Sequence, residues 1–124
     1  MTRVVLDTNA LMMPVEIGVR LFEELDRLLG EYEPVVPRAV VEELRDLSVG
    51  GGEEATAASV GLDLTDRCTV VDHDADYADD AVLEVAAEAG CVVTNDDPLK
   101  QRLLEQNVPV IRLRGHTQLE RIQP

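Results

Sequence analysis

Short apolar runs alternate with amphipathic stretches along almost the whole chain. Val4-Val5-Leu6 is the first run, closed by Asp7-Thr8-Asn9, residue types that favour turns and helix caps. Ile17, Leu21, Leu25, Leu28 and Leu29 then recur at helical spacing with charged residues between them, and Gly30 stops that predicted helix. Pro34-Val35-Val36-Pro37 predicts a second strand, with its prolines confined to the ends. Residues 38–47 predict a helix with Val40, Val41, Leu44 and Leu47 on one side. Gly50-Gly51-Gly52 is a flexible break, Ala-rich residues 53–66 predict a third helix, and Thr69-Val70-Val71 a third strand. After the polar loop His73–Asp76, a stripe of Ala78, Val82, Val85, Ala86 and Ala89 predicts a helix from about Tyr77 to Ala89. Cys91–Thr94 predicts a strand, Pro98–Gln106 a helix and Val108–Leu113 the last strand, with no element assigned beyond Gly115.

Strands that are short, apolar and β-branched, alternating with helices, are the mark of an α/β fold with helices on both faces of a parallel sheet. Residues 1–124 suit a single domain of this kind. Ligands of such folds bind outside the carboxyl ends of the strands, so the residues just after each strand are the informative ones.

Those residues are acidic. Asp7 follows the first strand, Glu42 and Glu43 lie one turn into the helix after the second, Asp79 and Asp80 open the helix after the third, and Asp96 and Asp97 follow the fourth. Carboxylates gathered this closely resist ionisation unless a cation joins them. An oxygen-only cluster suits Mg²⁺ or Mn²⁺, which are hard ions. Only one of Glu42 and Glu43 can face the site. Asp79 and Asp80 also fit the first turn of a helix, where the dipole favours acids. Asp97 precedes Pro98, a favoured first helical residue, so Asp97 is expected to be the N-cap and Asp96 the ligand.

Other chemistries lack their residues. His73 and His116 are expected at the surface in loops, with no Cys or His at ligand spacing. No phosphate-binding glycine loop and no nucleophile elbow occurs. Cys68 and Cys91 each precede a Val-rich run and are expected to be small buried hydrophobes. No apolar stretch approaches the roughly 20 residues of a membrane span, and an Asp at position 7 interrupts any signal-peptide core; a cytoplasmic protein without membrane contact is the expectation.

The net charge of −14 changes the picture of any nucleic-acid partner. Ten of the eleven basic residues are Arg, and abundant Asp and Glu with almost no Lys resembles proteins of salt-in halophiles. At about 1 M salt the Debye length is roughly 3 Å, so acidity weighs little against a phosphate backbone there. The charge is also uneven: residues 53–97 hold thirteen acids and one Arg, whereas Lys100, Arg102, Arg112, Arg114 and Arg121 face only Glu105 and Glu120. Phosphate contacts are expected along that basic edge, at Lys100 and Arg102.

Four segments in order resemble the motifs of the PIN-domain family: Leu6-Asp7-Thr8-Asn9-Ala10-Leu11, Pro37 through Val41-Glu42-Glu43-Leu44, Tyr77-Ala78-Asp79-Asp80-Ala81-Val82-Leu83, and Val93-Thr94-Asn95-Asp96-Asp97-Pro98-Leu99-Lys100. They look most like archaeal PIN proteins related to eukaryotic pre-rRNA processing nucleases, and are similar to VapC-type toxins. The resemblance implies a three-layer α/β/α fold with about five parallel strands and the first strand central. It implies an Mg²⁺- or Mn²⁺-dependent endoribonuclease acting on RNA in rRNA processing or as a toxin. Carried over, Asp7, Glu43, Asp80 and Asp96 form the acidic quartet, with Asp79 as a further metal partner and Thr8, Asn9, Thr94 and Asn95 in support. A homodimer, an antitoxin or a ribosome-assembly partner are the associates this implies, and a non-catalytic RNA-binding scaffold is the alternative reading. A haloacid-dehalogenase phosphatase would need Asp, not Asn, at position 9. A receiver domain would need an acidic pair before the first helix and a phosphoacceptor after the third strand.

Overall fold

The computed structural model describes residues 1–124. The strands are β1 (Thr2–Leu6), β2 (Tyr32–Pro37), β3 (Thr69–Val71), β4 (Cys91–Val93), β5 (Val110–Arg114) and β6 (Gln118–Ile122). The helices are α1 (Thr8–Glu16), α2 (Leu21–Leu29), α3 (Arg38–Ser48), α4 (Gly52–Leu64), α5 (Ala78–Ala86) and α6 (Asp97–Glu105). They form one six-stranded sheet in the order β3-β2-β1-β4-β5-β6, flanked by helices; the first five strands are parallel and β6 runs antiparallel to β5.

The chain winds outward from β1 through β2 to β3, then returns to place β4 on the other side of β1. That reversal opens a crevice at the carboxyl ends of β1 and β4, the place where open α/β sheets bind ligands. Both strands are buried on two faces: Val4, Val5, Leu6, Cys91, Val92 and Val93 are fully inaccessible to solvent. This is why their sequences read as unbroken apolar runs. The core holds 29 buried residues and is built almost wholly from aliphatic side chains. Gly61 lets α4 cross α1 closely, since a Cβ there would stand 2.8 Å from the Leu11 carbonyl oxygen.

Two regions differ from the sequence expectation. The predicted helix beginning at Ile17 is α2, which starts only at Leu21, and it is preceded by an unpredicted helix. This α1 starts directly after Asp7, and Ile17 is its C-cap, 41% exposed, before a turn at Gly18 with φ of 70°. Pro14 inside α1 and the consecutive buried Leu11, Met12 and Met13 hid a helix whose burial comes from packing on α4. The sheet has a sixth strand in the unassigned tail, where Gly115 at φ of 63° supports the β5–β6 turn. Leu119 alone is buried in β6, too little for a strand signal. Cys68 and Cys91 are free thiols, half-buried and buried, as expected. No helix is long and apolar enough to cross a membrane.

Candidate active site

The end of β1 delivers Asp7 into the crevice, and the carboxylate is only 4% exposed. Asp7 is the N-cap of α1: its Oδ1 accepts from Ala10 N at 2.7 Å. Burial pushes this carboxyl up to about 7, against the lowering effect of hydrogen bonds from Thr94 and Ala10, and repulsion from Asp79 and Asp96 adds to the rise. Thr94, fully buried at the end of β4, joins the two sides of the crevice. Its hydroxyl hydrogen-bonds Asp7 and accepts from Asp96 N at 3.0 Å.

Asp96, half-buried, caps α6 through Oδ1, which accepts from Leu99 N at 2.8 Å. This reverses the expected pair, because Asp97 is already helical and exposed, and its carboxylate meets Lys100 at 3.3 Å. Pro98 therefore occupies the second helical position rather than the first. The role as cap leaves Asp96 Oδ2 free of the helix, so capping and facing the site are compatible, as they are for Asp7.

The adjacent acids on α3 and α5 separate cleanly. Asp79 carries a carboxyl raised by desolvation, by Asp96 and by Glu43, with Arg102 opposing. Glu42 instead lies with Arg38, Asp72 and His73 in a separate hollow. Asp80, expected in the quartet, is in an ion pair with Arg102 at 3.0 Å. The acids that feel one another are Asp7, Glu43, Asp79 and Asp96, one after each of the first four parallel strands, with Asp80 adding the smallest push on Asp79. No three of them converge to metal-ligating distance.

Their chemistry nevertheless fits a hard divalent cation. The donor set is oxygen only, without thiolate or imidazole, and Thr8 Oγ1 beside Asp7 is a buried oxygen without a partner. Asn9 is exposed in the first turn of α1. Asn95 is a brace: its side-chain oxygen accepts from Leu113 N at 2.8 Å, and its amide nitrogen meets the Met13 sulfur at 3.0 Å.

The basic edge is largely neutralised. Lys100 is 14% exposed along its side chain and pairs with Asp97, Arg102 pairs with Asp80, and Arg112 and Arg114 share Glu120. A fixed cation therefore stands beside the acids, which the sequence reading did not anticipate. His116 is exposed as expected, but His73 is half-buried and its Nε2 accepts from Ala39 N at 2.9 Å, at the start of the helix that carries Glu43. Nothing in the local sequence signals that contact, since it joins residues 34 apart.

The chain is similar in sequence and in fold to known proteins. A family profile described as "PIN like domain" matches residues 4–116. The chain is 35% identical over 123 residues to Ribonuclease VapC4 of Methanocaldococcus jannaschii, covering 92% of each. Among solved structures it is similar to the PIN domain endonuclease Utp24, with a TM-score of 0.77, 27% identity and coverage of 98% of this chain and 92% of that one. A domain of a functionally unknown Methanocaldococcus jannaschii protein (TM-score 0.69, 18% identity, 93% of both chains) shares the fold. So does VapBC2 of Rickettsia felis bound to a promoter DNA fragment (TM-score 0.64, 14% identity, 89% and 98%). With the profile spanning nearly the full length and acids standing after successive strands of a β1-centred sheet, the chain belongs to the PIN-domain family.

Proposed function

We propose that this protein is an endoribonuclease that hydrolyses RNA phosphodiester bonds with Mg²⁺ or Mn²⁺ as cofactor. The observation that carries the proposal is the crevice between β1 and β4, where the buried Asp7 is held up to about 7 with Asp79 and Asp96 adding to the rise. Likeness to a ribonuclease and to a PIN domain endonuclease supports the reaction class. Asp7, Asp79 and Asp96 would hold the ion, which supplies charge neutralisation at the scissile phosphate and a more acidic water. Asp79 takes the place expected for Asp80, because Asp80 is spent on Arg102.

The protein's own groups then have distinct tasks. Thr94 and Ala10 N fix the Asp7 carboxylate, and Leu99 N fixes that of Asp96, so neither needs to reorganise during the reaction. Glu43 orients the attacking water from α3. The phosphorus–oxygen bond to the leaving ribose breaks as water's oxygen bonds phosphorus. The water's proton is lost to solvent or to a carboxylate of the cluster, and the departing ribose oxygen takes a proton from solvent.

The relative's name, Ribonuclease VapC4, carries the designation of the VapC-type toxins that the sequence resembles, which favours a toxin role and an antitoxin partner over rRNA processing. Cleavage of single-stranded RNA in Mn²⁺ or Mg²⁺, abolished by EDTA and by Asp7→Asn, is the expected result. Binding of RNA without cleavage in either metal would leave the non-catalytic scaffold instead.

A further inference from the structure

The chain contains three aromatic side chains, and the structure treats them differently. Phe22 is buried, with the Arg67 guanidinium 3.9 Å from its ring centre. Tyr32 is half-buried and donates its hydroxyl to the Phe22 carbonyl at 3.2 Å. Tyr77 is 75% exposed.

The Tyr77 backbone, by contrast, is firmly held. Tyr77 is the N-cap of α5, and its carbonyl accepts from Ala81 N at 2.9 Å. The loop before it is pinned at three places. Asp72 meets Arg38 at 2.6 Å, His73 Nε2 accepts from Ala39 N at 2.9 Å, and the Glu84 carboxylate accepts from Asp74 N and Ala75 N at 2.8 and 3.1 Å. An exposed aromatic ring on an immobilised backbone stands at the start of α5, two residues before Asp79.

Electrostatics gives that ring a purpose. Proteins usually gain RNA affinity from Lys and Arg on phosphates, with a strong salt dependence. Here Lys100 and Arg102 beside the site are both in ion pairs, and the chain carries a net charge of −14. Stacking of bases on aromatic rings needs no net charge, and it is selective for unpaired bases because paired ones are already stacked.

Building on the ribonuclease reading, we propose that Tyr77 is a base-stacking platform that binds an unpaired nucleobase of single-stranded RNA beside the acidic crevice. It sets substrate choice toward unpaired RNA and contributes to KM rather than to kcat.

The chain has no Trp and two Tyr, so a Tyr32→Phe background leaves Tyr77 as its only strong intrinsic fluorophore. Tyrosine emission is titrated with a short single-stranded oligoribonucleotide in EDTA and high KCl, against an abasic oligomer of equal length. Saturable quenching by the base-bearing RNA alone is expected. Under cleavage conditions Tyr77→Ala should raise KM about tenfold or more with kcat little changed, and Tyr77→Phe should restore it. Quenching that is absent, or equal with the abasic oligomer, overturns the platform, and so does an unchanged KM in Tyr77→Ala. Base-dependent quenching with no cleavage in any metal would uphold the platform and overturn the nuclease reading.

Discussion

Glu24 on α2 and Asp7 at the end of β1 each accept one short backbone hydrogen bond, 2.8 Å from Leu119 N and 2.7 Å from Ala10 N. Around Glu24 every charge is matched. Arg27 donates to its carboxylate at 2.9 and 3.2 Å and to the Leu119 carbonyl at 2.8 Å, so the pair grips both backbone groups of Leu119 at the outer edge of β6. Arg27 and Leu119 N together hold the Glu24 carboxyl below its ordinary value. Around Asp7 the same kind of group meets burial and other acids instead, and goes up to about 7. The clamp spends charge on stability and covers an edge that would otherwise pair with another strand. The crevice holds charge that the apo fold alone does not reward, which is the pattern of a site built for something bound.

The largest predicted effect breaks the crevice side. Asp7→Asn should reduce RNA cleavage to background while the fold persists, because Asn keeps the shape and the N-cap. Stability should move the other way. Asp7 has a folded value of about 7 against an ordinary 3.8, so its ionisation penalty is absent below pH 4, grows as pH rises and is complete above about 7. The variant should remove that loss, on the order of 4 kcal/mol at pH 8 as a ceiling, read as a flatter curve of Tm against pH. Glu24→Gln probes the opposite sign. A lowered carboxyl contributes stability above its ordinary value and loses it as pH falls, so this variant should lower Tm at pH 7 and have a shrinking effect as pH falls and Glu24 becomes protonated, with cleavage unchanged.

How much of this was legible in the sequence follows the range of the interactions involved. β1 and β4, buried on both faces, announce themselves as Val4-Val5-Leu6 and Cys91-Val92-Val93, and the acids after them were readable from strand ends alone. The α1 helix and β6 were not, because α1 owes its burial to α4 and β6 owes its place to side chains of α2 about 95 residues earlier. The surroundings of neighbouring acids were only partly legible for the same reason. Asp80 meets Arg102, 22 residues on, and Asp96 rather than Asp97 is the cap through one helical residue of register.

That register makes a smaller prediction. Asp96→Ala should cost about 1 kcal/mol as a lost cap, whereas Asp97→Ala should stay within about 0.5 kcal/mol. Thermal unfolding in EDTA reads both, and the reverse ranking would return the cap to Asp97. Salt gives the most diffuse test: raising KCl should raise Tm through screening of 25 acidic groups, and a flat response would count against a halophilic surface.

The central claim, that the Asp7 crevice is completed by a divalent cation, is tested most directly by Mn²⁺-dependent thermal unfolding of the native protein and Asp7→Asn at pH 8. The native protein should gain RT ln(1 + [L]/Kd), about 2.7 kcal/mol at a hundredfold excess over Kd. Asp7→Asn should start higher in EDTA and gain almost nothing from the metal. Equal metal-induced gains in the two proteins, or none in either, would contradict the account.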